Sequence, residues 1–219
     1  MPTAIKICGV STPEALSACI AARADWCGLN FYVPSPRYVS GTQAARLAGV
    51  SGTAIRRAGV FVDADDAAIG DAVSAGKLDA IQLHGDETPE RAAAVRARFG
   101  LPVWKVLCVA SADDIARADR YAGTADFILF DAKTPKGAMP GGMGLVFDWS
   151  LLRQYKGALP WGLAGGLTPA NVAEAVRLTG ARQVDVSSGV ERAPGLKDAG
   201  LISDFMAACR RAKIGRAHV

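Results

Sequence analysis

The most constraining feature of the sequence is an alternation of short apolar runs with amphipathic helical segments, repeated about eight times along 219 residues. No linker or second hydrophobic core interrupts the repeat, so we expect one domain over residues 1–212. Strands that alternate with helices form a parallel sheet with right-handed crossovers. Eight such units close into a barrel, and the sequence therefore predicts an α/β fold, a single (β/α)₈ TIM barrel.

An open, doubly wound sheet is the alternative fold for such an alternation. It would more naturally carry a GxGxxG turn after its first strand, and KICGVS at residues 6–11 is not one. We predict the eight barrel strands over residues 4–8, 26–31, 58–62, 79–83, 103–109, 127–130, 159–164 and 183–187.

Helix starts are indicated by capping residues followed in several cases by proline. They are expected at Thr12-Pro13 (or Ser11, in a capping box with Glu14), Thr88-Pro89, Ser111, Asp148 and Thr168-Pro169, with a last helix over residues 198–211. Residues 213–219 are expected to form a C-terminal tail, and its last five residues, GRAHV, carry no structural signal, which is compatible with a non-native addition.

Composition and charge exclude several classes of function. The net charge of +4 is spread along the chain and does not form the basic stripe of a nucleic-acid-binding protein. No apolar run is long enough for a membrane helix, and the start of the chain predicts a strand rather than a signal peptide. Five cysteines without CxxC spacing indicate a reducing compartment. We therefore expect a cytoplasmic protein without nucleic-acid or membrane partners, either a monomer or a homodimer.

Two histidines are too few for a multi-histidine metal site, and one of them, His218, lies in the tail. A Ser-His-Asp triad is not expected either, because His84 is the only histidine of the sequence outside the tail. We expect neither a metal nor a cofactor.

Two glycine-rich segments near the C-terminus are candidates for a phosphate site. LAGGLTPANV at residues 163–172 places Gly165 and Gly166 between a strand and a helix, where backbone amides and the helix dipole favour an anion. VDVSSGVE at residues 184–191 adds Ser188 and Gly189. Paired phosphate-binding loops after the last two strands are typical of (β/α)₈ barrels. The alternative for either segment alone is an ordinary turn.

Polar side chains at the predicted strand ends are the candidates for chemistry, because the active sites of these barrels collect there. They are Cys8, Arg37, Gln82 with His84, Asp131, Asp185 and Ser187. Cys8 and Asp131 form a possible base and acid for an aldose-to-ketose rearrangement, which needs neither metal nor cofactor. The alternatives are a buried structural cysteine and an aspartate that caps its loop.

Arg37 lies in the proline-bracketed segment 33–37, and its planar guanidinium suits a carboxylate. The alternative is a solvated charge at the tip of the loop. Lys105, inside the fifth strand, is a less favoured candidate for a Schiff-base lysine.

Seven strings together resemble the phosphoribosylanthranilate isomerase family of tryptophan biosynthesis. They are KICG, SPR, GVFV, IQLHGDE, PGGMGLVFDW, LAGGLTPANV and DVSSGVE, in order from residue 6 to residue 191. The resemblance implies a (β/α)₈ barrel that performs an Amadori rearrangement of N-(5-phosphoribosyl)anthranilate. It also implies that Cys8 is the general base, Asp131 the general acid and Arg37 the residue that holds the anthranilate carboxylate.

The resemblance further implies phosphate binding by Gly165, Gly166, Ser188 and Gly189. We predict additional substrate contacts from residues in the fourth, sixth and eighth units: Gln82, Gly142, Gly144 and Asp185. The family usually has Gly-Gly-Thr-Gly in its sixth loop, where this chain has Met143 between Gly142 and Gly144. The glycines that let the loop fold over a ligand are retained.

Lys6 shares a strand face with Cys8, and Asp185 is expected on the neighbouring eighth strand. We predict that Lys6 and Asp185 pair inside the barrel and that the charge of Lys6 helps Cys8 to ionise. Two other functions stay open: a different phosphosugar isomerase, of histidine-pathway or dual-substrate type, and a non-catalytic phosphate-binding domain.

Overall fold

The computed structural model describes residues 3–133 and 144–212. Eight parallel strands form a closed barrel in sequence order, with β1 paired to β8. They are β1 (Ala4–Cys8), β2 (Trp26–Asn30), β3 (Arg56–Phe61), β4 (Ala80–Leu83), β5 (Val103–Val109), β6 (Phe127–Ala132), β7 (Trp161–Leu163) and β8 (Gln183–Val186). The predicted (β/α)₈ barrel is confirmed, and each predicted strand is present with ends that differ by three residues or fewer.

Helices connect the strands on the outside of the barrel. They are α1 (Pro13–Ala21), α2 (Gly41–Ser51), α3 (Asp66–Gly76), α4 (Pro89–Phe99), α5 (Ala112–Ala116), α6 (Val172–Thr179) and α7 (Ala199–Arg211). Short 3₁₀ helices cover Arg117–Tyr121, Trp149–Gln154 and Ser188–Val190. None of the helices in the described parts of the chain is long and apolar enough to cross a membrane.

Capping residues determine several helix starts as predicted. The Thr12 side chain accepts the N–H of Ala15, and Pro13 occupies the first position of α1. Thr88 caps α4 in the same way, and Gly100 ends α4 in the left-handed conformation. The Asp148 side chain accepts the N–H of Ser150 at the start of its 3₁₀ helix.

The predicted start of α6 at Thr168-Pro169 is wrong. The helix begins about one turn later, at Val172, after Asn171. The side chain of Asn171 accepts the N–H of Thr168 and donates to the carbonyl of Gly166. These bonds fold the segment into a turn, because the Asn side chain offers the backbone an alternative to helix. Gly165 and Gly166 therefore lie in a loop, and not directly at the end of a helix.

An antiparallel hairpin after β8 is absent from the sequence prediction. It consists of β9 (Glu191–Ala193) and β10 (Leu196–Lys197). It occupies part of the connection to α7, which Asp198 caps by accepting the N–H of Leu201.

Alternate strand residues divide the core into two parts. One side of each strand packs under the helices in a large apolar cluster that includes Ile5 and Ile7 of β1. The other side fills the barrel, where Trp26 and Trp104 meet edge to face with ring centroids 4.6 Å apart. Lys6, the register partner of Trp26, and Asp185, the register partner of Lys6, are buried as well.

Aspartates bind neighbouring strands together at the N-terminal end of the barrel. The Asp126 N–H donates to the Val103 carbonyl, and its carboxylate accepts the Val103 N–H, both at 2.8 Å. Asp25 and Asp79 make the same pair of bonds, to Ile5 and Arg57 respectively. Each carboxylate therefore satisfies a strand N–H that has no other partner below it.

We expect Asp126→Ala to lower the free energy of unfolding by about 1–3 kcal/mol, because the N–H of fully buried Val103 loses its acceptor. Urea unfolding followed by circular dichroism measures the change, with exposed Asp71→Ala as the control. Equal stability of both variants would contradict the assigned role of these aspartates.

Candidate active site

A cavity opens at the C-terminal ends of the barrel strands. Eight of the eleven predicted site residues line it: Cys8, Arg37, Asp131, Gly144, Gly165, Gly166, Asp185 and Ser188. Parallel strands all end at this edge, so residues far apart in the chain meet there.

Three predicted residues are not in the lining. Gln82 is fully buried two residues before His84, and its amide nitrogen lies 3.4 Å from His84 Nδ1. Gly189 lies behind the cavity, where a Cβ would overlap the carbonyl oxygen of Leu167. Its lack of a side chain lets the loops after β7 and β8 touch. Gly142 is outside the described residues.

Cys8 ends β1, directly above a buried ion pair. Lys6 Nζ lies 2.8 Å from Asp185 Oδ2, and both residues are nearly inaccessible to solvent. The pairing of β1 with β8 places the two residues opposite each other, so the predicted pair is confirmed. The charges of Asp185 and Cys8 outweigh the effect of burial on Lys6 and raise its pKa, which keeps it cationic.

Gly28 of β2 completes the environment of the thiol. A Cβ at this position would lie 2.9 Å from Cys8 Sγ and 3.0 Å from Lys6 Nζ. Burial raises the pKa of the Cys8 thiol, and the charge of Lys6 opposes this rise. The effect of Lys6 therefore has the predicted sign but is smaller than the effect of burial.

Asp131 faces the cavity from β6. One carboxylate oxygen accepts the N–H of Ala132 at 2.8 Å, and the other lies 3.4 Å from His84 Nε2. His84 also lines the cavity. Asp131 thus has a titratable neighbour in His84, directly after β4, and it shares the cavity with Cys8.

Arg37 is not a solvated charge at a loop tip, because the structure buries it with 7% of its surface exposed. The side chain of Ser35 accepts the Arg37 N–H, which fixes the loop after β2. The stem of Arg37 crosses Gly9, where a Cβ would be 2.5 Å from Arg37 Cδ. Its guanidinium binds Glu191 through Nε and Nη2, each at 2.8 Å.

The two glycine-rich loops, after β7 and β8, meet at the cavity, where Gly189 approaches the backbone of Leu167. Gly165 and Gly166 both have positive φ, +87° and +61°, which favours glycine. The backbone of Leu145 and the side chain of Val146 pack over Gly166. Together with Ser188, these glycines present backbone and hydroxyl groups suited to an anion.

Several lining residues escaped the sequence prediction. Asn30 and Ser35 line the cavity, and their side chains bond to each other at 3.3 Å. Neither carries a charge or a distinctive spacing, so no local signal marks them. Lys105 does not line the cavity: its ammonium binds Glu87 and the carbonyl of Gly85, which argues against the Schiff-base alternative.

Within residues 3–133 and 144–212, no group of three or more His, Cys, Asp or Glu residues is arranged to hold a metal ion.

The profile of the family described as N-(5'phosphoribosyl)anthranilate (PRA) isomerase matches residues 5–208. The chain belongs to this family. The enzyme of the same name from Paramagnetospirillum magneticum is 52% identical over 211 residues, which are 96% of this chain and 98% of the relative. The family's reaction is the isomerisation of phosphoribosylanthranilate in tryptophan biosynthesis.

Solved structures of phosphoribosylanthranilate isomerases have the same barrel. The Thermotoga maritima enzyme is 36% identical, with a TM-score of 0.85 over 94% of this chain and 98% of that chain. A phosphoribosylanthranilate isomerase in complex with reduced 1-(o-carboxyphenylamino)-1-deoxyribulose 5-phosphate is 34% identical, with a TM-score of 0.83 over the same shares.

We expect Gly28→Ala to reduce isomerase activity by at least about tenfold, because the added methyl group displaces the Cys8 thiol from Lys6. Gly49→Ala is the matched control, since a Cβ there meets nothing within 4 Å. The loss of anthranilate fluorescence during turnover measures both variants. Full activity of Gly28→Ala would contradict the close packing of these two side chains.

Proposed function

We propose that Cys8 is the general base and Asp131 the general acid of the isomerisation. The observation that carries this proposal is that the two side chains line one cavity from β1 and β6, which are three positions apart around the barrel. The rearrangement needs both groups in one cavity, an acid at the ring oxygen of the sugar and a base at C2.

In the first step, Asp131 gives a proton to the ring oxygen while the bond from this oxygen to C1 breaks. The lone pair of the anthranilate nitrogen forms the C1–N double bond as the ring opens. Cys8, as the thiolate, then removes the proton from C2, and the electron pair neutralises the iminium to give an enol-amine. Tautomerisation of the enol-amine yields the ketone, so no external oxidant or reductant is consumed.

Lys6 supports this role of Cys8. A buried ammonium beside the thiol stabilises its charged form and opposes the cost of burial. Asp185 holds the ammonium in place at 2.8 Å. We therefore assign Asp185 a role through Lys6, and Gln82 a role through His84, which it contacts beneath the cavity.

The substrate would lie across the cavity, with its phosphate on the loops after β7 and β8. Gly165, Gly166 and Ser188 line that side, and Gly189 allows the two loops to approach. The anthranilate carboxylate would then lie beside Arg37. Gly144 borders the cavity near Ser188, since a Cβ at Gly144 would lie 3.9 Å from Ser188 Oγ.

We expect Cys8→Ser and Asp131→Asn each to lower kcat by about 10²–10⁴-fold, because each removes a proton-transfer group. Asp131→Asn should bind a product analogue with nearly unchanged affinity, as determined by calorimetry. Cys209→Ala in α7 and Asp71→Asn in α3 are the control substitutions. If Asp131→Asn loses binding and rate together, its role is structural.

The pH dependence provides a separate check. The base must be the thiolate, and burial raises the pKa of Cys8 above that of a free thiol. In wild type, however, Asp131 must be protonated to act as the acid, and its loss of the proton offsets the gain in thiolate, so the check uses Asp131→Asn, whose amide does not titrate. The residual kcat/KM of this variant should follow the thiolate of Cys8 and still rise above about pH 8.5, where an unperturbed cysteine is half ionised. A residual kcat/KM that stays constant from about pH 6 to pH 9 would contradict Cys8 as the base.

A further inference from the structure

The hairpin β9–β10 packs against the loop that carries Arg37. Gly195, at its turn, has φ of +81°, and a Cβ there would lie 2.5 Å from the carbonyl oxygen of Pro36. The hairpin therefore reaches from β8, past the end of β1, to the loop after β2. Two charged strand residues of the hairpin, Glu191 and Lys197, have almost fully buried side chains.

Glu191 binds the guanidinium of Arg37 in a two-pronged arrangement, Nε to Oε1 and Nη2 to Oε2. Such a fork fixes the plane of the guanidinium as well as its position. Burial by itself favours the neutral form of Glu191, but hydrogen bonds from Arg37 and Lys197 outweigh it and lower the pKa of this carboxyl. Glu191 is consequently an anion at neutral pH.

Lys197 attaches Glu191 to the end of β1. Its ammonium lies 2.6 Å from Glu191 Oε1 and donates to the carbonyl and hydroxyl oxygens of Ser187, at 3.0 and 3.2 Å. The Ser187 hydroxyl in turn donates to the carbonyl of Cys8 at 3.2 Å. An unbroken series of buried polar contacts thus runs from Arg37 to the backbone of Cys8.

We propose that Glu191 is a positioning residue that orients Arg37 toward the anthranilate carboxylate, and that Lys197 fixes the position of Glu191 relative to Cys8. The inference rests on the proposed role of Arg37. Without Glu191, the long side chain of Arg37 would regain rotamer freedom, and binding a carboxylate would have to restrict it again. The effect should therefore be confined to ligands that carry this carboxylate.

Two ligands separate positioning from general stability. One is reduced 1-(o-carboxyphenylamino)-1-deoxyribulose 5-phosphate, and the other is the same compound without the ring carboxylate. Calorimetry gives Kd for each ligand with wild type, Glu191→Gln, Arg37→Ala and the double variant. Exposed Glu174→Gln in α6 is the matched control.

We expect Glu191→Gln to weaken binding of the carboxylated ligand by at least about tenfold, since charge-assisted hydrogen bonds are lost. The Kd of the ligand without the ring carboxylate should change by less than about twofold. In the Arg37→Ala background, Glu191→Gln should have no further effect on the carboxylated ligand. In turnover, KM should rise more than kcat falls.

If Glu191→Gln weakens the binding of both ligands equally, or of neither ligand, the inference is overturned. If Arg37→Ala itself weakens both ligands equally, the proposed role of Arg37 fails and the inference fails with it. Should Glu191→Gln not fold, Glu191→Asp keeps the charge but shortens the reach by one methylene group. We expect a smaller loss of affinity for this variant, again confined to the carboxylated ligand. An equal loss of affinity for both ligands would likewise overturn the inference.

Discussion

The ion pair between Lys6 and Asp185 is the interaction on which the site depends. It closes the barrel by joining the side chains of β1 and β8, and it places a positive charge directly beneath Cys8. Two charges removed from water are tolerated when each compensates the other, whereas loss of one partner leaves an unpaired buried charge. The same pair thus serves the integrity of the barrel and the ionisation of the proposed base.

The same arrangement recurs around the cavity. Lys105 and Glu87, 2.7 Å apart, hold the loop after β4 by bonds to the backbone of Gly85, next to His84 and so beside Asp131. Lys197 and Glu191 hold Arg37. In the described part of the chain, three buried lysine–carboxylate pairs therefore support the three groups to which we assign base, acid and carboxylate recognition. Each pair fixes a side chain that must keep its direction in the absence of substrate.

Local signals made much of this fold predictable. The strands β1 and β5 and the caps at Thr12 and Thr88 follow from residues next to one another in the chain. The expectation that site residues lie at the C-terminal ends of the strands also identified most of the residues that line the cavity.

What could not be predicted depends on contacts between distant residues. The burial of Arg37 requires Glu191, 154 positions away. The start of α6 is set by the side chain of Asn171, which binds the preceding loop instead of leaving Thr168 to cap the helix. The hairpin β9–β10 contains only five strand residues and no distinctive pattern, since its role is to fit the loop after β2. Such pairings follow from topology and not from periodicity or capping.

The most direct measurement is the ionisation of Cys8 in wild type and in Lys6→Met, followed by NMR of protein labelled with ¹³C at the cysteine Cβ. We expect the pKa of Cys8 to be higher in Lys6→Met, because the ammonium that opposes the effect of burial is gone. The resonances of Cys19 and Cys209, which lie in α1 and α7, should titrate as in wild type. An unchanged or lower pKa of Cys8 in a folded Lys6→Met variant would contradict the role of Lys6 in the ionisation of Cys8.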